Sequence, residues 1–358
     1  MSELINTYDN RATIRWKLLT GASAAALAAY FSLSNAARAE DASRPILWLE
    51  AEGQFSLLSD NSEPFIPPFV LNSQFDIASK IARKRSPSEW DEGAKISFEP
   101  SGTDWILSLG ARYGKTHRHG AGQQYTNHTG GYWSKYYKGI QSAKGANSSE
   151  KHLIVDFQAG KDLGLGMFGQ EGSSVFSAGV RYAQFTSRGS LNLHSVTPNV
   201  PSNYYLFDAG FDARRSFTGI GPSLSWDASA DLAGNTADGK LTVDWGVNGA
   251  LLFGRQRTKA HHHITATYQK GSAKYEFYPS FRYTAYHTAN SPSRSKNVTV
   301  PALGAYAAIS LRYTNAKVTF GYRYDNYFGA IDGGIDASKK EDRSFNGPYA
   351  SISIGIGD

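Results

Sequence analysis

Residues 300–334 read VPALGAYAAISLRYTNAKVTFGYRYDNYFGAIDGG. From Leu303 to Tyr313 every second residue is apolar or aromatic: Leu303, Ala305, Ala307, Ile309, Leu311, Tyr313. Between them stand Gly304, Tyr306, Ala308, Ser310 and Arg312, a smaller or more polar set. After Thr314-Asn315 the alternation resumes, with Val318, Phe320, Tyr322 and Tyr324 on one face and Lys317, Thr319, Gly321, Arg323 and Asp325 on the other. A period of two is the side-chain geometry of a strand. Two such runs joined by a very short turn make a hairpin. A soluble strand turns its apolar face inward, whereas a membrane barrel turns it outward to lipid and lines its interior with polar groups. One hairpin fits both senses, so the rest of the chain decides.

The chain has 358 residues, with 21 Tyr, 36 Gly and 19% charged residues, a balance suited to an all-β protein. It has no cysteine, which excludes disulfides and thiolate metal ligands. The formal charge of +6 is spread among acids along the chain, so no nucleic-acid partner is expected. Arg11, Arg15 and Lys17 precede the apolar, Ala-rich run 18–33, and Ala37-Arg38-Ala39 supplies small residues where a signal peptidase reads. This order predicts a cleaved secretory signal peptide over 1–39, leaving 40–358 as the mature chain. No later segment approaches the ~18 apolar residues of a membrane helix.

Alternation recurs along the mature part. Leu47, Leu49, Ala51, Gly53, Phe55 and Leu57 oppose Trp48, Glu50, Glu52, Gln54 and Ser56. Ala94, Ile96 and Phe98 pair in pattern with Trp105, Leu107, Leu109, Ala111 and Tyr113. Further strands are read over 150–160, 174–186, 207–229, 239–254 and 345–356, with another hairpin over 260–285. Loops are expected at 58–89, 116–148 and 188–205, a turn at 230–238, and a lead into an outer loop from Phe328 to Gly334.

Three features favour the membrane sense. Nearly every minority face carries a charge, among them Glu50, Arg112, Asp156, Arg181, Asp227, Asp244, Arg282, Arg312 and Arg323; a soluble core could not hold so many. Connections alternate short and long, and Tyr and Trp recur near strand ends, as in outer-membrane barrels. The dipeptide Arg-Tyr appears at 112–113, 181–182, 282–283, 312–313 and 323–324, each time with Arg on the inward parity. The fold expected is an all-β, antiparallel, up-and-down transmembrane barrel of about twelve strands, with ten as the alternative. A barrel of that size has a narrow lumen. Asp104, Arg112, Asp156, Arg181, Asp244, Arg312 and Arg323 are the expected pore-lining residues.

The segments FTGIGPSLSW (217–226), GKLTVDWGVNGALLFGRQR (239–257) and VTFGYRYDNYFGAIDGG (318–334) resemble pore-forming outer-membrane proteins of the Legionella major outer-membrane protein type. The resemblance implies a bacterial outer-membrane barrel with pore activity and carries no catalytic residues. The chain departs from outer-membrane barrels in ending on Gly355-Ile356-Gly357-Asp358 rather than an aromatic residue.

Chemistry elsewhere is sparse. Consecutive His261, His262 and His263 alternate faces in a strand, so at most two converge on a metal. His117 and His119 have no nearby carboxylate, and Asp332 and Asp336 lie in a Gly-rich stretch read as loop. There is no G-x-S-x-G elbow, and Gly219-x-Gly221 lacks a strand-to-helix context. A serine–histidine–acid triad is not excluded by spacing alone. The expectation is a narrow pore for passive diffusion of small polar solutes, with no enzymatic activity, cofactor or metal. Its partners would be outer-membrane lipid, lipopolysaccharide and the barrel-assembly machinery. The alternatives are a non-conducting adhesin or structural barrel, and a barrel lipid hydrolase or protease.

Overall fold

The computed structural model describes residues 47–59, 70–71, 75–76, 88–100, 103–120, 124–127, 139–163, 172–200, 203–270, 281–333 and 340–357. The expected signal peptide and most of 58–89 lie outside them.

The described residues form strands and no helix: β1 (Leu47–Ser59), β2 (Val70–Leu71), β3 (Phe75–Asp76), β4 (Ser88–Phe98), β5 (Trp105–Gly120), β6 (Gln124–Asn127), β7 (Gly139–Asp162), β8 (Gly172–Val200), β9 (Asn203–Asn235), β10 (Gly239–Lys270), β11 (Phe281–Asn290), β12 (Ser293–Arg312), β13 (Ala316–Asp332) and β14 (Lys340–Ile356). Ten of them close into a ring, β1-β4-β5-β7-β8-β9-β10-β12-β13-β14, and every pairing is antiparallel. β1 pairs with β14 from Leu47↔Ile356 to Ser59↔Ser344, which closes the barrel and leaves the ring no free edge. β2 and β3 form a small separate ribbon.

The count is ten, the alternative expectation, and not twelve. The described parts of 260–285, residues 260–270 and 281–285, add no strand to the ring, and 271–280 lie outside the described residues. β10 runs on past Lys259 and pairs first with β12 and then, from His262, with β11. β11 and β12 are thus successive segments beside the same strand, separated at Ser291-Pro292. Pro292 has no N–H to offer the ladder, and its carbonyl accepts from Ala260 N at 3.0 Å. β6 stands in the same way against the start of β7.

The alternation decides which face meets lipid. Outward residues form an apolar band: Leu49, Phe55 and Leu57 on β1, Leu107, Leu109 and Tyr113 on β5, Phe176 and Val180 on β8, Ile220 and Leu224 on β9, Val247, Leu251 and Phe253 on β10, and Phe320, Tyr322 and Tyr324 on β13 are all exposed. Their inward neighbours are mostly polar and buried, including Ser56, Arg181, Ser223, Thr242, Asp244, Ser310, Thr319, Ser351 and Ser353. Apolar outside and polar inside is the arrangement of a transmembrane barrel. At one end the connections are short. Asn235 Oδ1 accepts from Ala237 N and Asp238 N at 2.9 and 2.8 Å, while Gly234 and Gly239 adopt positive φ.

At the other end the strands run far past the band. β9 has 33 residues, where ~9–11 suffice to span a bilayer. The described parts of the expected loops at 116–148 and 188–205 are therefore strand: β5 continues to Gly120, β7 starts at Gly139, and β8 and β9 pair as far as Val200↔Asn203. Alternating polar residues in these stretches resembled loop because neither face has an apolar stripe once the strands leave lipid.

Candidate functional site in the barrel lumen

The inward side chains fill the lumen in layers. Toward the short-turn end, Asp244 accepts from the Ser310 hydroxyl, whose oxygen lies 2.9 Å from Thr319 Oγ1, and Lys317 Nζ lies 2.7 Å from Asp244 Oδ2. Nearby, Tyr306 Oη donates to Asp227 Oδ1 at 2.8 Å and Ser353 Oγ donates to Glu50 Oε2 at 3.2 Å.

The next layer holds three arginine–carboxylate pairs. Arg323 donates through both terminal nitrogens to Glu52, and its guanidinium sits 4.5 Å from the Tyr349 ring centre. Arg112 Nη1 reaches Asp325 Oδ2 at 2.6 Å. Arg181 binds Asp156 through Nε at 2.6 Å and Nη2 at 3.3 Å, and its Nη1 donates to Asn248 Oδ1 at 2.8 Å. Each charge here has an opposite partner with hydrogen-bond geometry, which offsets part of the cost of burial.

Above the arginines lies an apolar layer. Ile154, Phe185, Phe217, Leu252, Val300, Tyr327, Ile331 and Phe345 come together from seven strands. Phe217, Leu252, Val300, Tyr327, Ala330 and Ile331 are all 0% exposed, so the layer seals the cross-section on that side. Phe185 is its hub, with ring centres of Tyr327, Phe345 and Phe217 at 4.8, 5.9 and 6.0 Å. The remaining sector is polar but also buried: Gln54, Ser56, Asp91, Thr116 and His152, the last with its ring tilted against Phe345 at 4.2 Å between centres.

The seal owes its closure to β13. The ladder with β14 breaks between Tyr327 and Ile331; within the break Ala330 packs into the buried layer beside Ile331, while Phe328 stays exposed. Gly329 takes φ +62, its carbonyl accepts from Gln256 Nε2 at 2.6 Å, and its N–H donates to Asp342 Oδ1 at 2.7 Å. The expected lead into an outer loop at 328–334 is thus strand with an inward bulge as far as Asp332. A last layer of ion pairs covers the seal: Arg215–Glu341 at 2.7 Å, Arg343–Glu150 at 3.0 Å, and Asp332 with Arg294 and Lys296 at 2.6 and 3.5 Å.

Of the seven residues expected to line a pore, Arg112, Asp156, Arg181, Asp244 and Arg323 point into the lumen, and all five are spent on partners. Asp104 and Arg312 stand exposed at the short-turn end, outside the filled section. Glu52 and Asp325 stand on the inward parity that the alternation predicts, whereas the apolar layer is not predicted by it.

Ser56, Asp91 and His152 bring the residue types of a nucleophilic triad together, but in the wrong order. The Ser56 hydroxyl donates to Asp91, and His152 Nε2 lies 3.8 Å from the other Asp91 oxygen. The imidazole cannot take the serine proton from behind a carboxylate. His261 and His263 share the outward face with ring centres 6.1 Å apart, and His261 Nδ1 lies 2.7 Å from Ser291 Oγ. Among the described residues no three His, Cys, Asp or Glu side chains cluster to hold a metal. Asp332 is ion-paired inside the barrel, and Asp336 lies outside the described residues. Gly219 and Gly221 sit mid-strand, where an added Cβ would meet the Phe217 ring and Leu251 O.

No family model and no curated protein matches the chain. Among solved structures it is similar to a bacterial polysaccharide outer membrane secretin (7% identity, 88% of this chain and 100% of that one, TM-score 0.20). It is also similar to the TodX monoaromatic hydrocarbon channel (9% identity, 87% and 90%, TM-score 0.21) and to Wzi, a carbohydrate-binding β-barrel of Escherichia coli (7% identity, 88% and 85%, TM-score 0.15). The outer-membrane type of barrel follows from the closed ring and its outward apolar band.

Proposed function

We propose that the chain is a bacterial outer-membrane barrel that is closed at rest, and that its working surface is the wall of long hairpins beyond the apolar band. The carrying observation is the apolar layer around Phe185, Phe217, Leu252 and Tyr327. An ion or polar solute crossing it would give up its hydration for hydrocarbon, which is costly, and hydrophobic constrictions of this kind hold channels shut. Most of the charges below and above are already neutralised in pairs, with Glu50 and Asp227 held by hydroxyls instead, so they offer no complete free ring to draw solute through. This favours the structural or adhesive alternative over passive diffusion. In planar bilayers, refolded protein with heat-modifiable gel migration is expected to give no unitary conductance steps. Reproducible steps from the folded, unmodified barrel would sink this reading.

A second reading, a gated pore for small polar solutes, has one observation in its favour. The seal leans on a bulge held by the single Gln256–Gly329 contact and the Asp342 contact. The resemblance to pore-forming proteins of the Legionella type supports the same reading. It predicts that Gln256→Ala gives conductance where the unmodified barrel gives none.

A further inference from the structure

We infer that the outward faces of β8, β9 and β10, just beyond the apolar band, bind the phosphate groups of an anionic glycolipid of the outer leaflet, that is, lipopolysaccharide. This rests on the outer-membrane reading above. Along β10 the outward residues change abruptly from Val247, Leu251 and Phe253 to Arg255, Arg257 and Lys259. Arg257 lies four residues past Phe253; at ~3.4 Å per residue and a tilt of about 40°, that is roughly 10 Å above the band, the depth of lipid headgroups.

The decisive feature is a row of like charges. Arg188 of β8 pairs directly with Arg214 of β9, and Arg214 pairs directly with Lys259 of β10. Directly opposed residues share a face with Cβ atoms about 4.5–5.5 Å apart, and like charges so placed repel. All three are exposed, and among the described residues none is in an ion pair. The flanking outward positions are Ser149, Thr186, Ser190, Ser216 and Ser293, with Arg257 and His261 beside Lys259. Asp212, next along β9 from Arg214, is the one carboxylate bordering the row. The belt continues on the preceding strands in exposed Lys115 of β5 and Lys151 of β7, which also pair directly, whereas on the far side β12 presents the neutral Asn297 and Thr299. A cationic row with a single bordering carboxylate, set at headgroup depth, is stabilised by an anion with several negative groups anchored in the membrane.

The test uses full-length barrel refolded in uncharged detergent and transferred to phosphatidylcholine nanodiscs, with folding scored by heat-modifiable migration. Purified lipopolysaccharide and its dephosphorylated form are titrated onto wild type, the triple variant R188Q/R214Q/K259Q and the charge-keeping R188K/R214K. Wild type and R188K/R214K are expected to prefer the phosphorylated form. The triple variant should bind it on the order of 100-fold more weakly, at about fivefold per basic residue. If the triple variant does not fold, R214Q alone should show the fivefold loss. Equal binding of both glycolipid forms by folded wild type, or equal binding by the glutamine variants, would overturn the assignment and leave the barrel intact. Displacement of the glycolipid by equimolar inorganic phosphate would overturn the lipid source. A wild type that never acquires a folded, lipid-inserted form would overturn the outer-membrane reading and this one together.

Discussion

Arg112 on β5 and Asp325 on β13 meet across the lumen at 2.6 Å, although 213 residues separate them in sequence. Removing one partner leaves the other charge buried and unmatched, which costs about 3–5 kcal/mol, whereas replacing both by apolar residues is often nearly neutral. Asp325→Ala should therefore lower barrel stability by about that amount in urea unfolding from micelles. The double replacement R112M/D325L should recover most of the loss. A double variant no better than the single one would show that the pair is not the unit that matters.

Phe185 touches three other rings of the seal. Truncating a buried phenylalanine typically costs about 3–5 kcal/mol, while a swap that keeps volume costs less than about 1.5 kcal/mol. Phe185→Ala should fall in the first range and Phe185→Leu in the second. If this layer is what closes the lumen, F185A/F217A should also pass current where the unmodified protein does not. Unchanged silence from a folded double variant would locate the block elsewhere.

How far the sequence disclosed this arrangement depends on which face is considered. In the band the two parities differ strongly, so Leu107, Val180, Ile220 and Phe320 were readable as outward and Arg112, Arg181 and Asp244 as inward. The seal was hidden because its residues occupy the polar parity. A signal did exist: on β8 the apolar side chains move from Phe176, Ala178 and Val180 to Ala183 and Phe185, while the outward parity becomes Gln184, Thr186 and Arg188. That change of phase marks both where the strand leaves lipid and where the lumen is stopped. The ion-pair partners were not legible, because Glu52–Arg323 and Arg215–Glu341 depend on which strands face each other across the ring. The excess in strand count had a similar cause, since β11 has the pattern of a spanning strand but stands on the end of β12.

Two glycines on neighbouring strands should respond oppositely to the same substitution. A Cβ on Gly221 would lie 1.9 Å from Leu251 O, inside the β9–β10 ladder. One on Gly249 would find its nearest neighbour, Leu303 Cδ2, at 3.6 Å, an ordinary contact. Gly221→Ala must push two backbones apart and should cost about 1–3 kcal/mol, as overpacking does. Gly249→Ala should be close to neutral in the same unfolding measurement.

The band itself can be tested by depth. Leu224 is 67% exposed within the outward apolar run of β9, and Thr218 lies on the same face where that run gives way to Arg214 and Arg255. An arginine on the lipid face costs about 2–4 kcal/mol near the bilayer midplane and about 0–1 kcal/mol near the interface. Leu224→Arg should therefore destabilise the barrel in phospholipid by several times more than Thr218→Arg, and the difference should shrink in small, deformable detergent micelles. Both sites are exposed, so side-chain packing predicts little contrast between them; only a hydrocarbon layer around Leu224 produces it. Equal costs in phospholipid would mean that the apolar face meets something other than lipid.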